Sequence, residues 1–367
     1  MIERDELAAW LRLTETPQVG RETARQLLSR FASPEGVFEA RPSQWREVVG
    51  AAAADRLGEV PQRLETLLET TLAWLGEEDS RAIVTLGDPR YPTSWLETPD
   101  PPLLVYLQGR ADLLRQPAMA IVGSRNPTPQ GRDNARGFGR TLSEAGFCVV
   151  SGLALGVDGA AHEGALEGPG STIAIVGTGL DRVYPRRHLA LAHRIAREGL
   201  MLSEHALGAP PLAAHFPQRN RLLAGLAQGT LVVEAALQSG SLITARLAAE
   251  YGREVFAIPG SIHAPQSRGC HALIRQGAKL VEQASDILEE LRPPPLRADA
   301  NPVAAAQAAP PVDALLGAIG FDPITLDALV DRTGMPPAEL AARLLELELD
   351  GQVARLPGQL FQRVMRA

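Results

Sequence analysis

Residues 216–245, FPQRNRLLAGLAQGTLVVEAALQSGSLITA, gather the side chains best suited to hold a ligand. They read as a short helix opened by Arg219, Asn220 and Arg221, then a buried strand over 229–234 that ends in Glu234. A polar loop with Gln238, Ser239, Gly240 and Ser241 follows, and a second helix begins near Leu242. Guanidinium forks, small hydroxyls and backbone N–H groups at a helix start all favour an anion, most often a phosphate.

The elements that must position these groups show in the apolar pattern. Short strands over 83–86, 103–107, 119–122, 147–150, 172–176, 200–202, 229–234, 255–258 and 279–281 alternate, from the third onward, with helices over about 130–145, 159–166, 188–197, 271–276 and 286–291. That alternation predicts βαβ crossovers, hence an α/β, Rossmann-like parallel sheet with helices on both faces. In such a sheet ligands sit outside the carboxyl ends of the strands.

Those ends read Gly123-Ser124-Arg125, Ser151-Gly152-Leu153-Ala154, Gly177-Thr178-Gly179, Ser239-Gly240-Ser241 and Pro259-Gly260. Glycine lets backbone approach a ligand closely, and hydroxyls add donors. Several such loops on one edge, with Arg125, Arg219 and Arg221 as counter-charges, point to a phosphate or phosphodiester.

Other chemistries find less support. GSRNPTPQG stands where a dinucleotide site needs GxGxxG, and GTGLDRVYP lacks the third glycine, which argues against a dehydrogenase. Asp158 and His162, four apart, can share one helix face, but no nucleophile with a matched partner accompanies them, so His162 reads as structural. Glu234 reads as an acceptor orienting Arg219 or Arg221. His205, His215, His263 and His271 show no metal-ligand spacing. No catalytic residue, metal or cofactor is expected.

Composition sets the frame. The chain has 367 residues, enough for two or three domains, with 45% hydrophobic, 22% charged and 4% aromatic residues and a net charge of −7. Bulk positive charge cannot hold nucleic acid here, so an anion site must be local. Lys279 is the sole lysine, a bias that carries no function by itself. Two cysteines, Cys148 and Cys270, make no disulfide framework, and the acidic start MIERDELAAW is no signal peptide. With no apolar run long enough to span a membrane, a cytoplasmic protein is expected.

Residues 1–80 read as a small helical domain. Leu7, Trp10, Leu11 and Leu13 form one apolar stripe and Ala24, Leu27, Leu28 and Phe31 another, around a turn at 16–20. Helix, glycine turn, helix resembles a helix-hairpin-helix, though a packing role is the better fit for one such turn. Residues 81–292 hold the sheet, and 293–311 read as a Pro/Ala-rich linker. Residues 312–367 give three helices, over 312–319, 325–330 and 337–349, and a hairpin turning at Pro357-Gly358: a winged helix. Its third helix carries Glu339, Glu346, Glu348 and Asp350 against Arg343 alone, although Arg355, Arg363 and Arg366 lie on or after the hairpin. Phosphates repel such a helix, so contact with protein, or a lost function, fits better than reading duplex DNA.

SGLALGVDGAAHEGAL, IAIVGTGLDRVYPRRH, FPQRNRLLAGLAQGTLVVEAALQSGSLITARLAAEYGREVFAIPG and SRGCHALIRQGA together resemble the DNA-processing protein A family, also called Smf. The similarity spans about 81–291, and the flanking domains fit the family's three-part layout. It implies a homodimeric single-stranded DNA-binding protein that protects incoming strands in natural transformation and loads the RecA recombinase on them. Carried over by position, the phosphate pocket is Gly123, Ser124 and Arg125 with Arg219, Asn220 and Arg221, lined by Ser151, Gly152, Ser239, Gly240, Ser241 and Thr244. Phe216 is a candidate to stack a base. Dimer contacts are expected near Leu273, Ile274 and Leu280, residues that ordinary core burial explains equally well. His188 replaces a common asparagine and Val157 a common isoleucine, neither at an anion contact. The alternative is a nucleotide-binding enzyme of the nucleoside-monophosphate phosphoribohydrolase type, whose PGGxGT loop VVEAALQSGSLIT does not match; a third is a scaffold whose pocket is a relic.

Overall fold

The structure, a computed structural model, describes residues 2–291 and 313–364. The linker expected at 293–311 falls outside them, as do Val312 and Arg366.

Five helices open the chain: α1 (Arg4–Glu15), α2 (Arg21–Phe31), α3 (Pro34–Glu39), α4 (Pro42–Leu57) and α5 (Leu64–Glu77). Their apolar stripes meet around Leu7, Leu11, Leu27 and Leu57, all fully buried. The same cluster takes in Ile83, Leu103, Leu104, Tyr106 and Leu207 from the sheet and its loops, so the helices cap the sheet rather than stand apart.

Nine strands form the sheet: β1 (Arg81–Thr85), β2 (Leu104–Gly109), β3 (Ala118–Val122), β4 (Cys148–Ser151), β5 (Thr172–Val176), β6 (Leu200–Ser203), β7 (Gly229–Val232), β8 (Glu254–Ala257) and β9 (Lys279–Leu280). Their spatial order is β1-β2-β6-β5-β4-β3-β7-β8-β9. From β6 to β9 neighbours run parallel, and both faces of β3, β4 and β5 are covered, which is why AMAIV, CVVS and TIAIV read as unbroken apolar runs. The parallel expectation fails at one edge. β1 pairs antiparallel with β2, and β2 with β6. Only a short helix, α6 (Thr93–Leu96), and a loop join β1 to β2, with no crossover helix to return the chain in the same direction.

Crossover helices cover the two faces. On one lie α7 (Pro129–Glu144), α8 (Val157–Ala165) and α9 (Leu189–Glu198); on the other α10 (His215–Leu226) buries Leu222, Leu223 and Leu226 against Val150, Ile173 and Ile175. Thr128 caps α7 by accepting from Gly131 N at 3.0 Å, and Pro129 opens it. α7 and α8 touch backbone to backbone: a Cβ on Gly164 would lie 2.0 Å from Arg136 O. Helices α11 (Ser241–Glu250), α12 (Arg268–Arg275) and α13 (Ala284–Leu291) complete this part.

Beyond the linker, α14 (Ala314–Ile319), α15 (Leu326–Thr333) and α16 (Pro337–Leu349) pack with β10 (Ile324–Thr325), β11 (Val353–Leu356) and β12 (Leu360–Arg363) as a winged helix with its own core around Ile319, Leu329, Leu340 and Phe361. No helix among the described residues is long and apolar enough to cross a membrane.

Candidate nucleic-acid interface

The chain steps outward from β3 through β4 and β5 to β6, then returns past β3 to lay down β7 and β8. The order reverses between β3 and β7, and a crevice for ligands opens at such a switch point. Gly123, Ser124 and Arg125 leave β3 there, and Glu234 follows β7.

The arginines of the expected pocket separate into two groups. α10 starts at His215, one turn before Arg219, so Arg219, Asn220 and Arg221 occupy its second turn and face inward rather than opening the helix. Arg219 is 7% exposed. Its Nη1 donates to Gly152 O and to Ile175 O, the latter at 2.6 Å, which ties the carboxyl ends of β4 and β5 together. Gly152 is glycine for this reason: a Cβ there would lie 2.1 Å from the Arg219 guanidinium. Burial disfavours the charged form of Arg219, and nearby Asp158 opposes that effect.

Arg221, also 7% exposed, is paired with carboxylates. Its Nη2 lies 2.5 Å from Glu204 and its Nε 3.1 Å from Asp100. Arg21 and Arg25 of α2 reach the same Asp100 at 2.7 and 2.8 Å. Burial alone would raise the Asp100 carboxyl; hydrogen bonds from Arg21 and Arg25 and the charge of Arg221 outweigh it and hold it at about 2. Arg219 and Arg221, expected as phosphate ligands, are thus buried and tied internally, Arg219 to carbonyls and Arg221 to carboxylates, although Arg219 Nε and Arg221 Nη1 keep no hydrogen-bond partner among the described residues.

Other expected pocket residues are also turned inward. Ser151 Oγ donates to Ile121 O at 2.7 Å, Asn220 Nδ2 donates to Gly240 O at 3.4 Å, and Thr244 is 1% exposed. Amides at the start of α11 are already bonded: Ser241 N to Ser239 Oγ, Leu242 N to Ser239 O and Ile243 N to Gly240 O. The helix-start anion site expected at Ser239-Gly240-Ser241 thus has these three amides occupied, while the amide of exposed Gly240 has no partner among the described residues. Glu234 does not orient either arginine; it accepts from Thr128 N at 2.9 Å and Thr128 Oγ1 at 2.5 Å, which fastens the start of α7 to the end of β7. His162 is fully buried, with Nδ1 2.7 Å from Thr172 Oγ1, and burial lowers its pKa to about 3, so it is a neutral core residue. Asp158 accepts from Gly152 N and Ala154 N and shapes the loop after β4.

What faces outward is a short ridge. Arg125 is exposed and has no carboxylate partner among the described residues; its guanidinium carbon stands 5.9 Å from the Phe216 ring centroid. Half-buried Phe216 stands 5.7 Å from Tyr184 with the rings tilted by 44°. Tyr184 is 47% exposed, and Arg186 and Arg187 beyond it are exposed and unpaired among the described residues. Half-exposed Gly123 and Ser124 adjoin Arg125. The sequence pattern does not mark Tyr184 as a site residue. Its position in GTGLDRVYP, 32 residues before Phe216, gives no hint that the two rings meet, although a second aromatic among so few was a signal worth following.

A sequence profile of the DNA recombination-mediator protein A family matches residues 82–292. The chain is 42% identical over 308 residues to Protein Smf of Escherichia coli, covering 82% of each chain. It belongs to the DNA recombination-mediator protein A family. A profile of the DprA winged helix domain matches residues 298–359. DNA processing protein DprA of Streptococcus pneumoniae is 48% identical over 203 residues, 55% of this chain and 72% of that protein. The solved structure of S. pneumoniae DprA superposes with a TM-score of 0.67 at 36% identity, covering 79% of this chain and 98% of that one. DprA of Helicobacter pylori, solved for its single-stranded DNA binding mode, superposes with a TM-score of 0.53 at 32% identity, covering 58% of this chain and 95% of that one. The DprA fold and a DNA-processing role thus stand together here.

The residues expected at a dimer contact divide. Leu273 and Ile274 of α12 are half-buried against Val232, Ala245 and Ala257, while Leu280 on the edge strand β9 is 44% exposed.

Proposed function

We propose that this protein binds single-stranded DNA without chemistry, along the ridge formed by Arg125, Phe216 and Tyr184. Arg125, with Arg186 and Arg187 flanking, meets the phosphates; the two rings stack bases irrespective of sequence. Gly123 and Ser124 let the backbone of the strand approach. The observation that carries this reading is Arg125: an unpaired guanidinium beside an accessible aromatic pair, at the sheet's switch point, in a chain of net charge −7. The H. pylori relative, whose structure concerns single-stranded DNA binding, supports it.

In this proposal the protein acts in the cytoplasm as a homodimer whose contact includes the exposed Leu280 and the outer parts of Leu273 and Ile274. Two ridges then hold a longer strand. Strands entering during natural transformation are protected and handed to the RecA recombinase. The domain limits at 80/81 and 292/293 belong to the same proposal, with the helical cap, the binding sheet and the winged helix as its parts.

Fluorescence anisotropy with labelled single and double strands at two salt concentrations tests the core of it. Single strands should bind more tightly, and each held phosphate should contribute about 0.7 to the slope of log affinity against log salt. Equal affinity for duplex, or binding indifferent to salt, would refute it.

A further inference from the structure

The third helix of a winged helix is the part that ordinarily enters the DNA major groove, and in this chain its outward face is built for something else. Inward, α16 buries Leu340, Leu344 and Leu347 at 0–4% exposure in the core of the winged domain. Outward it carries a second apolar stripe: Ala338, Ala342, Leu345 and Leu349, all exposed, at spacings of four, three and four. Leu345 is 56% and Leu349 80% exposed. A helix that lies on a core on one side normally shows charged and polar residues on the other. Here the opposite side repeats the spacing of a coiled-coil seam, about one and a half heptads long.

The residues flanking that stripe, in the positions that meet the edges of a partner helix, are Glu339, Glu346 and Glu348. The one cation of α16, Arg343, is neutralised at 2.9 Å by Asp313 and at 2.5 Å by Glu346, which leaves Glu339 and Glu348 as the rim's uncommitted charges. Phosphate binding requires uncommitted cations, so duplex DNA is a poor occupant. A second copy packed antiparallel fits no better, since it would set Glu339 against Glu346 twice along one edge of the seam, with Ala341 against Glu348 along the other. Charge complementarity leaves one class of occupant.

We propose that the outer face of α16 is a docking seam for an amphipathic helix of a partner protein, one whose apolar stripe is rimmed by lysine or arginine. The seam runs roughly 18 Å along the helix, so the contact is small and transient, with an expected dissociation constant on the order of 10–100 µM. It lies in a different domain from the Arg125 ridge and stands whether or not that ridge binds DNA.

The test uses the full chain and two synthetic helical peptides of about three heptads, both with leucine at the seam positions. One carries lysine at the flanking positions, the other glutamate. Titrated by fluorescence anisotropy, the lysine peptide should bind saturably and at least tenfold more tightly than its glutamate twin. Leu345→Ser with Leu349→Ser should weaken it tenfold or more while the domain stays folded, with only the small loss of stability that serine's lower helix propensity brings. Glu339→Lys, Glu346→Lys and Glu348→Lys together should reverse the preference. The proposal is overturned if both peptides bind equally, if binding survives the two serine substitutions, if the charge reversal leaves the preference intact, or if sedimentation shows the face taken up by a second copy that the serine substitutions release. Competition of the lysine peptide by duplex DNA, lost with the same serine substitutions, would overturn it in favour of a DNA reader.

Discussion

Two sets of arginines stand at the carboxyl rim of the parallel strands and differ in where their charge goes. Arg219 and Arg221 are held inside by carbonyls and carboxylates and join strand ends, the helical cap and α10 into one piece. Arg125 has solvent on one side and an aromatic ring on the other. All three have the same chemistry and lie near the same switch point, yet of the three only Arg125 is exposed to meet a ligand from solvent. An arginine near a crevice is a ligand candidate only after its internal partners have been counted.

The comparison breaks most visibly in stability. Arg221→Ala leaves Glu204 with only the 3.7 Å contact to Arg21, while Asp100 keeps Arg21 and Arg25, and the loss of the buried charge-assisted hydrogen bonds should cost about 1.5–3 kcal/mol in urea unfolding. If that variant keeps wild-type stability and loses only DNA, the division into inner and outer arginines is wrong. Phe216→Ala and Tyr184→Ala act on the outer set: each should lower single-strand affinity by about 1–3 kcal/mol, and a double-mutant cycle between them should show non-additivity if both rings hold the same stretch of bases. Arg125→Ala sharpens the contrast, since stability should stay within about 0.5 kcal/mol of wild type while affinity falls for all sequences alike. The slope of log affinity against log salt should become shallower by about 0.7.

The smallest effect is in the pH profile. An unfolded imidazole takes its proton near pH 6.5, whereas folded His162 resists protonation down to about 3 because burial disfavours its charge. Between these values the unfolded chain binds more protons, so stability is complete above the upper value and declines as the pH falls toward the lower. The loss by pH 5.5 should be on the order of 1 kcal/mol. His205, lowered to about 4 by burial and by His215, acts in the same direction. His162→Gln should flatten this acid limb; an unchanged limb would assign it to other groups.

Sequence patterns revealed the strands because both faces of the sheet are covered, and they revealed the winged helix because each of its helices buries a stripe. The antiparallel edge was hidden: IVTL and LLVYL carry no mark of direction. At the site, glycine-rich strand ends were visible, but ownership of charge was not. Asp100 lies in an unremarkable proline-rich loop, 121 residues before Arg221, and only the folded chain brings them together. Glu234 was legible as a carboxylate at a strand end, whereas its partner Thr128 belongs to a helix start on the far side of the switch point. Tyr184 is illegible in the sequence for the same reason, as the contact with Phe216 exists only in three dimensions.

The shared cluster beneath α1–α5 has a practical corollary. Ile83, Leu103, Leu104 and Tyr106 have their cover supplied by the first eighty residues, and Asp100 draws two of its three guanidinium partners from α2. A truncation beginning at the sheet would expose a greasy flank and strand an acidic residue beside it. Fragments prepared for binding studies should therefore keep the amino-terminal helices, even where the interest lies wholly in what grips the strand.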